Sequence, residues 1–185
     1  GICEFTFGKQ SALAINKSLT GEEGYVLAFP AKSKETITQK LLEFEKHHPL
    51  IQIDLHAREV FRIEAGIPCY GKDISNKHIL PETGLEHSSV SYNKGCYIGQ
   101  EVIARIKTYG APNFALMGLI INGDTLPLPD SEIKLDSKKI GIIKSSIFSY
   151  SLQKNISLAY IQKDHRSPDI DLDVTIINKS YKIRT

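Results

Sequence analysis

The feature that most restricts the fold is the C-terminal stretch from about Asn113, where short β-prone runs alternate with turn-forming residues. The runs cover residues 115–121, 132–135, 140–144, 156–161, 174–177 and 181–183. No helix-length periodic segment intervenes, and several short strands at this spacing are typical of a small all-β barrel or sandwich. We therefore predict a C-terminal β-barrel domain over residues 111–185.

The residues before this stretch combine strand-like and helix-like patterns. The predicted strands and helices cover residues 4–7, 11–17, 25–29, 34–46 and 54–65. In the last of these segments, helical spacing assigns Phe61 to the apolar face and Arg62 to a polar face. The sequence therefore predicts an α+β domain over residues 1–110, with the domain boundary near 109–112.

Composition argues against several classes of protein. The 185 residues carry a net charge of +2 with scattered lysines, which does not suggest nucleic-acid binding. No apolar run is long enough to cross a bilayer and no secretory leader opens the chain, so neither membrane association nor secretion is expected. The three cysteines, Cys3, Cys69 and Cys96, include no C-x-x-C pair and predict neither a disulfide framework nor a metal site. We expect a reducing compartment, the cytoplasm or an organelle matrix.

Cys96 lies in a loop that precedes a predicted helix. Gly95 and Gly99 surround it, and apolar residues recur at helical spacing from Ile98 onward. The helix N-terminus and the neighbouring Lys94 both favour a thiolate. The spacing alone leaves a second interpretation open, in which Cys96 is a small buried hydrophobic residue.

Three motifs carry a resemblance to a known family. Residues 94–101, K-G-C-Y-I-G-Q-E, resemble the signature of the YgfZ proteins, which are folate-binding relatives of the glycine-cleavage aminomethyltransferase (T-protein) linked to iron–sulfur protein maturation. Residues 20–25, T-G-E-E-G-Y, resemble a turn of the folate-dependent transferases. Between residues 57 and 73, A-R-E, R-I-E-A-G and Y-G-K-D resemble a further segment of the same superfamily. The match covers roughly residues 20–105.

The resemblance implies a central α+β domain followed by an antiparallel β-barrel, while a further N-terminal family domain of about 100 residues is expected to be absent here. It implies tetrahydrofolate as the cofactor, with Arg58, Lys94, Gly95 and Gln100 as cofactor-binding residues. Cys96 is the expected catalytic group. Folate and iron–sulfur client or assembly proteins are the expected partners. Arg58 also has a plainer interpretation, as a surface arginine that pairs with its neighbour in the helix.

The sequence departs from the transferases at two positions. Val26 stands where they have a glutamate that grips the pteridine ring, and Leu19 stands where they have a tyrosine. Their catalytic aspartate belongs to an N-terminal domain. The first hypothesis is therefore a tetrahydrofolate-binding accessory protein in iron–sulfur cluster assembly or repair. The alternatives are a folate-dependent aminomethyltransferase and a protein-interaction module with a vestigial folate cavity.

Overall fold

The computed structural model describes residues 1–7, 10–167, 171–176 and 179–184. The chain forms two compact units, residues 1–65 and 66–185.

The first unit contains a three-stranded antiparallel sheet and two helices. The sheet has the order β1 (Ile2–Phe7), β2 (Gln10–Asn16) and β3 (Tyr25–Ala28), and the helices are α1 (Lys34–Glu45) and α2 (Leu55–Glu64). All five elements were predicted, with small differences at their ends. Asp54 caps the N-terminus of α2, and Gly66 follows its C-terminus in a left-handed conformation.

The buried face of α2 differs from the predicted one. Val60 and Ile63 belong to the core, whereas Phe61 is 43% exposed. Arg62, assigned to a polar face, is only 5% exposed. Its guanidinium is paired with Glu59, so the charge is compensated where it is buried.

The second unit begins with a mostly irregular segment that contains two short helices before the barrel. These helices are α3 (Glu86–Ser89) and α4 (Gln100–Tyr109), and a short 3-10 turn covers Leu80–Glu82. The strands are β4 (Phe114–Asn122), β5 (Glu132–Leu135), β6 (Lys138–Ser149), β7 (Lys154–Gln162), β8 (Asp171–Ile176) and β9 (Lys179–Arg184). They close into an antiparallel barrel in the order β4-β7-β6-β5-β8-β9.

Isoleucines dominate the core of the barrel, to which β6 contributes Ile140 and Ile143. Burial alternates along most of β6. Strand β7 is different, because Asn155 to Ile161 are all buried. One cause is the segment that precedes the barrel, where the His78 ring stacks on Tyr160 with 4.5 Å between centroids. The barrel wall is therefore covered on both faces along β7.

The predicted β-barrel is confirmed, and each predicted run falls on a strand. The run at 174–177 extends to Ile177, which lies outside the described residues. The boundary at 109–112 stays a prediction, since chain contacts group residues 66–113 with the barrel. In the described part of the chain, no helix has the length and apolar character needed to span a bilayer.

Candidate functional site

Arg58 lies near the N-terminal end of α2, in the first unit. The Asp54 carboxylate accepts a hydrogen bond from the Ala57 backbone N–H at 2.7 Å and fixes the start of the helix. The Arg58 side chain is 45% exposed, and its Nη2 lies 3.8 Å from Glu59 Oε1. The predicted contact with the neighbouring glutamate is therefore present, but it is long.

Glu59 makes its closer contacts with Arg62. Arg62 Nε and Nη2 donate hydrogen bonds to the two oxygens of Glu59 at 3.1 and 3.0 Å. A bidentate pair of this kind is stronger than a single long contact. The Arg58 guanidinium thus keeps donors that suit the carboxylate of a ligand.

The T-G-E turn packs against the end of the same helix. Ser18 Oγ accepts hydrogen bonds from the backbone N–H groups of Thr20 and Gly21 at 3.4 and 2.9 Å. Gly21 has a φ of +91°, and a Cβ on it would lie 2.6 Å from Ala65 Cβ. Two motifs that are far apart in sequence, T-G-E-E-G-Y and R-I-E-A-G, therefore meet in the first unit.

The two departures from the transferase pattern flank this turn. Val26 is half-buried in β3 and pairs across the sheet with Ile15. Leu19 is exposed. Neither side chain offers a hydrogen-bonding group. Val26 therefore cannot hold a pterin ring as the glutamate of the transferases does.

The cysteine motif occupies the loop between α3 and α4, in the second unit. Lys94, Gly95 and Cys96 are all exposed, and Gln100 is half-buried. The alternative left open by the sequence, in which Cys96 is a small buried hydrophobic residue, is wrong, because the side chain is exposed.

Helix α4 begins at Gln100, later than the apolar spacing from Ile98 indicates. Gly99 caps the helix with a φ of +87°, a left-handed conformation that glycine adopts without strain. Ile98 therefore precedes the helix, and its side chain is fully exposed. The helix follows the cysteine loop as predicted, but the loop extends through Ile98 to Gly99.

Two contacts shape the loop around Cys96. Gln100 Oε1 accepts a hydrogen bond from the Tyr97 backbone N–H at 3.3 Å. Lys94 Nζ lies 5.0 Å from the centroid of the Tyr97 ring, within reach of a cation–π interaction. Tyr97, directly after Cys96, thus takes part in both contacts, while the cysteine itself is at the surface.

Tyr92, just before the loop, contacts both flanking helices. Its hydroxyl donates a hydrogen bond to Glu86 Oε1 on α3, and Lys107 Nζ of α4 lies 3.5 Å from its ring centroid. The bond to Glu86 raises the pKa of Tyr92 to about 12. None of these three residues was predicted from the sequence, because no local spacing indicates a contact across a loop.

Asp73, the aspartate of the Y-G-K-D stretch, is fully buried. Its Oδ2 accepts a hydrogen bond from the Cys69 backbone N–H at 2.8 Å, and its Oδ1 accepts one from Ser145 Oγ on β6. The segment before α3 is thereby attached to the barrel. Burial raises the pKa of the nearby Tyr160, with the negative charges of Glu82 and Asp73 adding to the effect.

Two open cavities lie away from these residues. A groove of about 360 Å³ in the first unit is lined mainly by apolar side chains of α1 and the following loop, among them Leu41, Leu42 and Ile51. A polar opening of about 420 Å³ lies at one end of the barrel, between Asp124 and Lys154 among others. Neither is lined by a predicted site residue.

The predicted site residues thus fall into two groups. Arg58 belongs to the first unit, together with the T-G-E turn. Lys94, Gly95, Cys96 and Gln100 belong to one loop of the second unit, where Lys94 and Gln100 both contact Tyr97.

Comparison with known proteins identifies matches to both parts of the chain. The family model described as the GCVT N-terminal domain matches residues 1–94, and that described as the glycine cleavage T-protein C-terminal barrel domain matches residues 115–185. An aminomethyltransferase of Caldanaerobacter subterraneus is 33% identical over 88% of this chain and 43% of its own length. One from Halalkalibacterium halodurans is 35% identical over 79% of this chain and 40% of its own length.

A solved structure shows the same fold. The crystal structure of glycine cleavage system aminomethyltransferase T from Bartonella henselae matches 98% of this chain and 50% of its own chain, with a TM-score of 0.83 and 19% sequence identity. The chain described here spans about half the length of the relatives it matches.

Proposed function

The chain belongs to the glycine-cleavage T-protein family, and from this we propose that it binds tetrahydrofolate and takes part in aminomethyl transfer. The observation that carries the proposal is the family match to residues 1–94 and 115–185. The named relatives are aminomethyltransferases, which supports this reaction over the other hypotheses.

Arg58 is the residue proposed to hold the ligand. The family resemblance assigns folate contact to the arginine of the A-R-D segment, which is Arg58 here. Its half-exposed guanidinium and its long contact with Glu59 fit this role, because a folate tail carries carboxylates. Val26 does not fit the pterin end, so affinity is expected to depend strongly on the tail.

Titration with tetrahydrofolate tests the proposal. Arg58→Ala should weaken binding about tenfold or more, since a hydrogen bond to a charged group contributes about 1.5–3 kcal/mol. Arg105→Ala is the matched control, because Arg105 is also an exposed helical arginine paired with a glutamate, at 3.2 Å. Equal affinities for Arg58→Ala and the unmodified protein would remove Arg58 from the site. If the unmodified protein itself does not bind, the interaction-module hypothesis is the one that stands.

A second candidate rests on the exposed Cys96 in the K-G-C-Y-I-G-Q-E loop. This motif resembles the YgfZ signature rather than the transferases, so we also consider a folate-binding accessory role in iron–sulfur cluster assembly or repair. Here Cys96 would be the reactive group, as a transient ligand or redox partner. Lys94, Gly95 and Gln100 would shape its loop, and the partners would be iron–sulfur client or assembly proteins.

Two assays separate these candidates. Aminomethyl transfer between tetrahydrofolate and a lipoyl carrier protein, insensitive to Cys96→Ser, would support the transferase function. The accessory role would be supported if no transfer occurs and if added tetrahydrofolate protects Cys96 from an alkylating reagent. Transfer that disappears in Cys96→Ser would assign the cysteine to the transferase reaction itself.

A further inference from the structure

We propose that Arg62 is a positioning residue, which holds the Glu59 carboxylate and thereby leaves the Arg58 guanidinium available to a carboxylate ligand. The inference deepens the proposed function, because the identity of that ligand rests on it. The competition of the two arginines for Glu59 is a property of α2 and can be measured without folate.

Glu59 lies within reach of both arginines. Residues three apart on a helix are neighbours on its surface, and Arg62 uses this spacing to engage both oxygens of Glu59. Its Nε donates to Oε1 at 3.1 Å and its Nη2 donates to Oε2 at 3.0 Å. Arg58 Nη2 lies 3.8 Å from the same Oε1, which is too long for a hydrogen bond. The two arginines thus compete for one oxygen, and Arg62 has the shorter contact.

Burial favours Arg62 in this competition. Its side chain is 6% exposed and that of Glu59 is 17% exposed, whereas that of Arg58 is 45% exposed. Ion pairs away from water are screened less than those at the surface. A single long contact uses few of the five N–H donors of a guanidinium, so Arg58 keeps donors for a second carboxylate.

Removing the Arg62 fork should therefore change the surroundings of Arg58. Arg62→Met keeps a long side chain in the buried position but provides no donor. The Glu59 carboxylate, no longer held by the fork, can then close the 3.8 Å gap to Arg58. If Arg62 only stabilised the helix, its loss would loosen α2 and expose Arg58 further. The two roles therefore predict effects of opposite sign on the accessibility of Arg58.

The test is the rate at which phenylglyoxal modifies Arg58, measured at low salt and one pH. Tandem mass spectrometry of peptides assigns the modification to each arginine. Arg105 in the same sample is the internal reference, because it is an exposed helical arginine that pairs with Glu101 at 3.2 Å. The ratio of the Arg58 rate to the Arg105 rate removes differences in reagent and in protein concentration.

Arg62→Met should lower this ratio about two- to fivefold, the factor that one exposed ion pair contributes. Glu59→Gln in the same background removes the competing charge and should restore the ratio. Arg62→Lys keeps the charge without the fork, so it should lower the ratio by a smaller factor, and it serves as the test if Arg62→Met does not fold. The proposal is overturned if the ratio is unchanged or raised in these single variants, or if Glu59→Gln does not restore it.

Titration with tetrahydrofolate connects this result to the proposed function. Arg62→Met should weaken binding by about the same factor, and Glu59→Gln in that background should restore the affinity. Tetrahydropteroate, which lacks the glutamate tail, is the matched ligand and should bind these variants equally. If Arg58→Ala weakens tetrahydrofolate binding but Arg62→Met does not, the positioning role is overturned. If Arg58→Ala has no effect, folate contact by Arg58 fails, whereas a slower modification in Arg62→Met would still support the hold of Arg62 on Glu59.

Discussion

Replacing Gly21 with alanine introduces a methyl group where the T-G-E turn meets the end of α2. The new Cβ would lie 2.6 Å from Ala65 Cβ, which is attached directly to the backbone and has no rotamer to change. The φ of +91° adds a second penalty, because L-residues resist the left-handed region. Backbone strain of about 1–2 kcal/mol and overpacking of about 1–3 kcal/mol predict a total loss of about 2–5 kcal/mol.

Urea unfolding followed by circular dichroism measures this loss, and a second substitution separates its two parts. Ala65→Gly removes the methyl group that Gly21→Ala would meet, so Gly21→Ala should cost about 1–3 kcal/mol less in that background. Gly66→Ala is the matched control, since Gly66 directly follows Ala65, has a φ of +67°, and a Cβ added to it would meet no atom within 4 Å. It should show the backbone penalty alone.

Equal losses for Gly21→Ala in the presence and absence of Ala65→Gly would refute the packing argument. The turn would then need its glycine for backbone conformation only. A loss no larger than that of Gly66→Ala would lead to the same conclusion.

Two further predictions concern the second unit. Ser145→Ala leaves one oxygen of the buried Asp73 without its hydroxyl donor and should lower the free energy of unfolding by about 1–3 kcal/mol in urea titrations; a change within error would contradict this. Hydrogen bonds from Lys139 and Lys134 lower the pKa of Glu132. Because the folded pKa is lowered, this stabilisation is present above the unfolded pKa and is lost as the pH falls through the folded pKa. An NMR titration should place the Glu132 midpoint below 4.5, and Lys139→Met should raise it; an unchanged midpoint would rule out the pairing in solution.

Residue patterns in the sequence predicted the strands and the helices α1, α2 and α4, because these patterns reflect burial and local propensity. They did not predict the four-residue helix α3. They misplaced the faces of α2, where Arg62 is buried and Phe61 is exposed. A pattern of apolar and polar residues predicts that every arginine is exposed to solvent. Only the structure shows that Glu59 compensates the charge of the buried Arg62. Ile98 is a similar case, since it fits helical spacing yet precedes the helix because of the Gly99 conformation.

The motif residues themselves could be identified in advance, but most of their contacts could not. Nothing near Asp73 in sequence indicates a bond to Ser145, which follows on a barrel strand. Tyr92 and Lys107 likewise meet only because the intervening loop folds back. Contacts of this kind depend on tertiary packing, whereas the Gln100 bond to Tyr97 is local and joins residues only three apart in sequence.

The three-stranded sheet and the barrel differ in whether each strand is hydrogen-bonded to a neighbour on both sides. Strand β4 pairs with both β7 and β9, so the barrel closes and has no free edge. In the described residues, β1 and β3 each pair on one side only, with β2. Unpaired strand edges are templates for hydrogen bonding between chains. The backbone groups on the outer sides of β1 and β3 are therefore the ones in this sheet to which a further strand could add, whereas the closed barrel offers no edge of this kind.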